Sequence, residues 1–109
     1  SVYTRDELAA LAKVIVEKDI YCISDEVYEY FVYNGAFTSI ACFEGMPERS
    51  IVINGFSKSH CMTGWRIGYD AAPAPIAKII GKIQGQATHH PSNIAQYAAS
   101  GHSRWAWAK

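Results

Sequence analysis

The sequence predicts an α/β fold, because a well-patterned helix leads into an apolar run of strand length and a second such run follows later. The helix covers residues 5–18, and the two apolar runs cover residues 20–24 and 50–54. Both runs lack strict alternation of polar and apolar residues, which is typical of strands that are buried on both faces. A helix followed by a buried strand is half of a parallel α/β unit.

The first helix has a defined beginning and one apolar side. Thr4 and Glu7 have the spacing of a capping box, in which side chains and backbone groups satisfy each other at the first turn. The positions that follow are apolar at helical intervals, namely Leu8, Leu11, Ala12 and Ile15. This pattern predicts a helix that covers one side of a sheet.

Two carboxylates and a phenol come directly after the first strand. Asp25 and Tyr28 are candidate site residues, because ligands of open α/β sheets gather at the carboxyl ends of the strands. We expect Glu26, which lies between them, to have a structural role. Residues 29–33 are expected to form a brief strand or an irregular turn, and residues 36–50 a surface loop with one helical turn.

The second strand leads into a loop, residues 55–64, that carries one lysine among small and hydroxyl residues. This lysine, Lys58, precedes a lone arginine, Arg66, by eight positions. Residues 65–71 are predicted to form a third strand. The gap between the second and third strands is too short for a helical crossover, so we expect these strands to pair antiparallel.

A second amphipathic helix is predicted after the third strand. Pro73 and Pro75 are suited to its first turn, where a missing N–H is tolerated. Its apolar stripe, which we expect to pack in the core, consists of Ile76, Ile79, Ile80 and Ile83.

The end of the sequence predicts one more helix and then a change of pattern. Ser92 is in position to cap a helix that runs through Ala99. After Gly101 the helical pattern is lost. The domain is therefore predicted to cover residues 1–100, with an irregular or truncated tail at residues 101–109.

Composition and charge exclude several classes of protein. Half of the residues are apolar and 18% are charged, which is typical of a globular domain and not of a disordered chain. Ten basic residues balance ten acidic ones, so no net field favours nucleic acid or an anionic membrane. No apolar run approaches the roughly 20 residues that span a bilayer. A bound anion must therefore be held by local groups.

The cysteines and histidines indicate neither a disulfide framework nor a metal site. The three cysteines, Cys22, Cys42 and Cys61, are widely spaced and odd in number, which favours a reducing, cytoplasmic setting. The pair His89 and His90 lacks the spacing of metal ligands, so we expect no bound metal.

Five polar residues are expected to meet at one edge of the sheet. Asp25 and Tyr28 follow one strand, Ser57 and Lys58 follow another, and Arg66 begins a third. A lysine amine attacks carbonyl carbons, a guanidinium and a hydroxyl suit a phosphate, and a carboxylate keeps a heteroaromatic nitrogen protonated. Together these groups describe a site for pyridoxal 5'-phosphate.

Each of these residues also has a plainer interpretation, which the sequence leaves open. Asp25 is suited to capping a turn, Tyr28 to packing in a core, and Arg66 to a surface ion pair. Ser57 is an ordinary loop residue, and lysines such as Lys58 are most often solvated on the surface. The two interpretations differ in whether the five side chains converge.

Two stretches resemble the motifs of a known enzyme family. They are Ser-Asp-Glu-Val-Tyr at 24–28 and Asn-Gly-Phe-Ser-Lys at 54–58, the latter followed by Met-Thr-Gly-Trp-Arg-Ile-Gly-Tyr at 62–69. Their order and separation resemble class I and II pyridoxal-phosphate aminotransferases, in particular the bacterial-type aspartate aminotransferase branch, over about residues 1–100. The resemblance implies part of the large domain of a fold-type I enzyme, a three-layer α/β/α structure with a mostly parallel sheet.

The resemblance also implies a role for each candidate. Lys58 is the Schiff-base lysine and the base that moves the substrate's α-proton, and Asp25 pairs with the pyridine nitrogen of the cofactor. Tyr28 donates a hydrogen bond to the cofactor's phenolic oxygen, and Ser57 with Arg66 binds its phosphate. The implied reaction is transamination between an amino acid and a 2-oxo acid, with aspartate-like or a broad range of amino acids as substrates, in a parent enzyme that is a homodimer.

Several groups that such enzymes need are absent from this sequence. They are an Asn-Pro-x-Gly turn, an upstream phosphate loop and a C-terminal arginine for the substrate carboxylate. We therefore expect this chain by itself to be an incomplete part of an enzyme that turns over little or no substrate. The alternative is a non-catalytic globular module that binds the cofactor or a partner. His60 is a further departure, since the family usually has an aromatic or small apolar residue there.

Overall fold

The computed structural model describes residues 2–106, with side chains described up to residue 101. The regular elements alternate between helix and strand in the first half and are helical at the end. In chain order they are α1 (Arg5–Glu17), β1 (Cys22–Asp25), a 3₁₀ turn (Ile40–Cys42), β2 (Ser50–Gly55), α2 (Phe56–Ser59), a second 3₁₀ turn (Thr63–Trp65), β3 (Gly68–Ala71), α3 (Ala74–Ala87) and α4 (Asn93–Ala106).

The capping box at the start of α1 is confirmed. The Thr4 backbone N–H donates to a Glu7 carboxylate oxygen at 2.7 Å, and the Glu7 backbone N–H donates to the Thr4 hydroxyl at 3.3 Å. These hydrogen bonds lower the pKa of Glu7, with the backbone bond as the larger cause. The helix ends at Glu17, one residue before the predicted end.

The core lies between α1 and the segment that follows the first strand. Leu8 and Ala12 of α1 pack with Ile40 and Met46, and Met46 is fully buried. Ile40 belongs to the 3₁₀ turn, which confirms the single helical turn predicted within residues 36–50. The partly buried residues around this cluster are Ile15, Val16, Cys22 and Phe43.

The sheet has the order β1-β2-β3 and is mixed. β1 pairs with β2 in parallel, and β2 pairs with β3 antiparallel, as predicted from the short connection. The register places Asp25 beside Ile53 and Ile53 beside Asp70. The α/β class is therefore confirmed, with one parallel and one antiparallel pair in the part of the chain that the structure describes.

The prediction that the first two strands are buried on both faces is wrong. Cys22 packs against the core and its neighbour Ser50 is buried, whereas Ile23 is 68% exposed and Ile53 is also exposed. Side chains alternate along a strand, so the core covers one face of the sheet while the other lies open to solvent.

The third strand is shorter than predicted. It begins at Gly68 and not at residue 65, because Thr63–Trp65 forms a 3₁₀ turn and Arg66 has a left-handed backbone with φ of 52°. A left-handed residue leaves the extended conformation that a strand requires. Arg66 therefore lies in the connection before β3.

The two C-terminal helices form, but two expectations about them are corrected. The apolar stripe of α3 is not core, since no residue of α3 is buried and Ile83 is 63% exposed. A stripe is buried only where another apolar surface meets it, and none of the described elements covers Ile79 and Ile83. The helical pattern also does not end at Gly101, because α4 continues to Ala106.

The continuation of α4 has a simple physical reason. A glycine inside a helix costs only about 1 kcal/mol relative to alanine, and no proline follows it. The last three residues, 107–109, lie outside the described residues, so the division of the chain after residue 100 stays a prediction. No helix within residues 2–106 is long and apolar enough to cross a membrane.

Two leucines of α1 provide a matched test of this packing. Leu8 is 8% exposed and Leu11 is 43% exposed. We expect Leu8→Ala to lower the free energy of unfolding by about 2–5 kcal/mol, because it leaves a cavity in the core. Leu11→Ala should cost less than half as much. Urea unfolding followed by circular dichroism measures both, and equal losses would contradict the placement of the core.

Candidate active site

The candidate residues gather where β1 and β2 end and β3 begins. Asp25 is the last residue of β1, and Tyr28 lies in the turn that follows it. Ser57 and Lys58 lie on α2, a single helical turn that starts directly after β2. Because β1 and β2 are parallel neighbours, their carboxyl ends meet at the same edge of the sheet.

Lys58 and Tyr28 are in contact. The Nζ atom of Lys58 lies 5.5 Å from the centroid of the Tyr28 ring, within the range of a cation–π interaction. Both side chains are otherwise exposed to solvent. The structure therefore brings together the two residues that were predicted to bond the cofactor and to hydrogen-bond its ring oxygen.

Asp25 lies at the start of the same turn. Its Oδ1 atom accepts a hydrogen bond from the Val27 backbone N–H at 3.2 Å, so the residue does cap the turn. Its second carboxylate oxygen has no donor within the described part of the chain, and the side chain is exposed. One oxygen thus holds the turn while the other is available to a ligand.

Arg66 lies in the connection between α2 and β3. Its guanidinium donates from Nη1 to the carbonyl oxygen of Thr63 at 3.0 Å, and it forms no ion pair with a described residue. The surface ion pair considered for Arg66 is thus not observed. Ser57 is half-buried beside Lys58, and no hydrogen bond joins Ser57 to Arg66. The residues next to them in the chain, Phe56 and Ile67, share a backbone hydrogen bond of 3.5 Å.

A close approach of β2 and β3 fixes where α2 begins. Gly55 and Gly68 face each other in the register of the two strands. A Cβ atom on Gly68 would lie 2.9 Å from the backbone oxygen of Asn54, and one on Gly55 would lie 3.2 Å from the Gly68 Cα. Gly68 lies within the predicted third strand, and a glycine inside a strand often marks such an approach.

Rings around α2 tie it to the neighbouring elements. Phe56 lies 5.2 Å from the His60 ring and 5.7 Å from the Tyr69 ring, and Tyr30 lies 6.4 Å from His60. The hydroxyl of Ser59 lies 2.6 Å from His60 Nδ1. His60 therefore joins the turn after β1 to α2, a role that its departure from the family pattern did not reveal.

Two groups near the site have raised pKa values. Burial raises the pKa of the Tyr69 phenol, and the nearby Glu29 and Tyr30 raise it further. Burial likewise raises the pKa of the Cys22 thiol, with the charge of Glu26 as a second cause. Both groups are therefore neutral at physiological pH.

A cavity of about 570 Å³ lies on the β1 side of the site. Its lining includes Asp25 and Tyr28 together with Ile23, Phe31 and Tyr3. Lys58, Ser57 and Arg66 are not part of this lining, so two of the five candidate residues line the cavity. Within residues 2–101, no group of three His, Cys, Asp or Glu side chains is arranged to hold a metal ion.

The glycine pair offers a test of the strand geometry. We expect Gly68→Ala to lower the free energy of unfolding by about 1–3 kcal/mol, because its Cβ would press on a backbone atom that has no room to move. Gly64→Ala is the matched control, since nothing lies within 4 Å of a Cβ there. Urea unfolding compares the two. Equal effects would show that β2 and β3 do not approach as closely as described.

Comparison with known proteins finds relatives along most of the chain. The model of the family Aminotransferase class I and II matches residues 1–104. An aspartate aminotransferase of Bacillus sp. (strain YM-2) is 47% identical over 100 residues, which are 90% of this chain and 26% of that protein. An aspartate/prephenate aminotransferase of Cereibacter sphaeroides is 46% identical, over 91% of this chain and 26% of that protein.

Solved structures of aminotransferases also match this chain. An aromatic aminotransferase from Pyrococcus horikoshii matches with a TM-score of 0.87 and 46% identity, over 91% of this chain and 27% of that one. An aspartate aminotransferase from Thermus thermophilus matches with a TM-score of 0.85 and 40% identity, over 91% and 25%. The chain thus spans about a quarter of the length of the relatives it matches. It belongs to the class I and II aminotransferase family.

Proposed function

We propose that this chain binds pyridoxal 5'-phosphate and serves a transamination between an amino acid and a 2-oxo acid. The observation that carries the proposal is the contact of Lys58 with Tyr28, beside Asp25, at the shared end of two parallel strands. Family membership adds the reaction class. The cysteines described, Cys22, Cys42 and Cys61, are free, which supports a cytoplasmic setting.

The groups present fit the proposed cofactor. Asp25 has one carboxylate oxygen available for a protonated ring nitrogen, and Tyr28 has a hydroxyl for the ring oxygen. Arg66 uses Nη1 to bind Thr63, which leaves its other N–H groups for a phosphate, and Ser57 offers a hydroxyl. The cofactor, when bound, supplies an electron sink for the carbanion formed at the substrate's α-carbon.

Lys58 has two proposed tasks. Its amine would hold the cofactor through the aldehyde carbon, with water as the leaving group, and the amine, once free of the cofactor, would take the proton from the substrate's α-carbon. Both tasks need an amine that can move and that is held near the ring of the cofactor. The Tyr28 ring holds the protonated form of the side chain at this place, and the amine performs either task after it has lost that proton.

The substrate class is proposed from the relatives. Those named for aspartate, for aspartate and prephenate, and for aromatic amino acids match this chain at 46–47% identity. Such equal similarity gives no preference for one of these substrates over the others. We propose aspartate-like or a broad range of amino acids, in a parent enzyme that acts as a homodimer.

A second candidate is a module that binds the cofactor or a partner without turnover. It is favoured by the exposure of Asp25, Tyr28, Lys58 and Arg66, since polar groups act most strongly on a reaction where water is excluded. We therefore expect this chain alone to bind cofactor and turn over little or no substrate.

Reductive trapping tests the cofactor site. Incubation with pyridoxal phosphate followed by borohydride is expected to leave a stable adduct on Lys58, located by mass spectrometry of peptides. Lys58→Ala should remove this adduct, because a lysine amine is the group that bonds the aldehyde. Lys78→Ala is the matched control, since Lys78 is exposed on α3 and should not affect labelling at Lys58.

Equal labelling of Lys58 and Lys78 in the unchanged chain would contradict a dedicated site. A second measurement separates the two candidate functions. The chain is mixed with pyridoxal phosphate and aspartate, and formation of 2-oxo acid is followed against the Lys58→Ala background. Formation above that background supports transamination, whereas an adduct without formation supports the binding module.

A further inference from the structure

Glu26 is the only buried acidic side chain in the part of the chain whose side chains are described. It is 8% exposed, although it lies next to the exposed Asp25. Removing a carboxylate from water is unfavourable by several kcal/mol unless hydrogen bonds replace its hydration. A buried carboxylate at the edge of a candidate site therefore calls for a physical reason.

Two serine hydroxyls provide the hydrogen bonds. The Oε1 atom of Glu26 accepts from the Ser24 hydroxyl at 3.0 Å and from the Ser39 hydroxyl at 2.8 Å. Ser39 also accepts from the Ala41 backbone N–H at 3.2 Å, and so caps the 3₁₀ turn that contains Ile40. The carboxylate thus joins the end of β1 to the hydrophobic core.

The backbone of Glu26 is held as firmly as its side chain. Its N–H donates to the carbonyl oxygen of Ile53 in β2 at 2.8 Å, and its carbonyl oxygen accepts from the Glu29 N–H at 2.9 Å. The second of these bonds closes the turn that contains Tyr28. Glu26 is therefore bonded to β2, to the turn and to the core at once.

We infer that Glu26, with Ser24 and Ser39, is a positioning residue that holds Asp25 and Tyr28 in place beside Lys58. This inference rests on the proposed cofactor site. Asp25 ends β1 directly before Glu26 and Tyr28 lies in the turn after it, and neither side chain has a hydrogen bond of its own to the core among the described residues. A shift of the turn would move the Asp25 carboxylate and the Tyr28 hydroxyl together, away from the strand end that carries Lys58.

The alternative is that Glu26 only stabilises the fold. The two roles differ when the polar cluster is replaced by apolar side chains of similar size. Such replacement often restores stability, since no buried charge is left without a partner. The Ser39 hydroxyl, which loses Glu26 as its acceptor, is only half-buried. The replacement does not restore the directional bond between β1 and Ser39. Cofactor affinity and folding stability are therefore expected to separate in a suitable variant.

The test measures the dissociation constant for pyridoxal phosphate and the urea unfolding midpoint of this chain and its variants. Glu26→Ala is expected to weaken binding about tenfold or more, and Ser39→Ala by a smaller factor. Glu26→Gln keeps an oxygen acceptor and should stay within about threefold of the unchanged chain. Glu44→Gln, which changes an exposed carboxylate, is the control and should have no effect.

The double variant Ser24→Ala/Glu26→Met decides between the two roles. It leaves the Ser39 cap on Ala41 intact and removes the buried charge. Positioning predicts an unfolding midpoint near that of the unchanged chain together with binding weakened about tenfold. Binding equal to that of the unchanged chain would overturn the inference.

The outcomes also separate this inference from the proposed function. If the unchanged chain does not bind pyridoxal phosphate, the proposed function fails and the inference fails with it. If the unchanged chain binds and every Glu26 variant binds equally well, the inference alone fails. The pH dependence of the bound cofactor's visible absorbance gives an independent readout, because Asp25 and Tyr28 are the groups expected to tune it.

Discussion

The parallel pairing of β1 with β2 is the constraint on which the candidate site depends. The register runs from Cys22 beside Ser50 to Asp25 beside Ile53, two residues before β2 ends at Gly55, so both strands end at the same edge of the sheet. Asp25 with its turn and α2 with Lys58 then follow at neighbouring points. A slip of one residue would move every β1 side chain to the other face and separate the two groups.

A second constraint acts through β3. The glycines at positions 55 and 68 let the antiparallel strands approach closely, and this approach determines where the backbone leaves the sheet to form α2. The lysine is therefore placed by the backbone around it, while the rings of Phe56, His60 and Tyr30 hold α2 against the turn after β1. The strand backbone thus determines the position of Lys58, whereas the aromatic contacts of α2 determine its orientation.

Local features of the fold could be predicted from the sequence because their causes lie within a few residues. Thr4 and Glu7 define the start of α1. The short connection between β2 and β3 determines that these two strands run antiparallel. Burial could not be predicted in the same way. The apolar character of Ile23 and Ile83 shows that they suit a covered face, but whether a partner covers them depends on elements distant in the chain.

At the candidate site, too, contacts between residues distant in the chain could not be predicted from the sequence. The residue types and order of Asp25, Tyr28 and Lys58 indicated their convergence, whereas the role of Glu26 depends on Ser39, 13 positions away. The spacing of Glu26 and Ser39 does not predict a hydrogen bond between them. Only the folded backbone brings them together.

The backbone around the 3₁₀ turn at Thr63–Trp65 has a consequence for how this loop can vary. Cys61 and Arg66 flank the turn, and both adopt left-handed conformations that side chains with a Cβ disfavour by about 1–2 kcal/mol. Glycine at either position would relieve that strain. At position 66 it would also remove the guanidinium. Arginine at this position therefore has a strained backbone but provides a positive charge that can attract an anion.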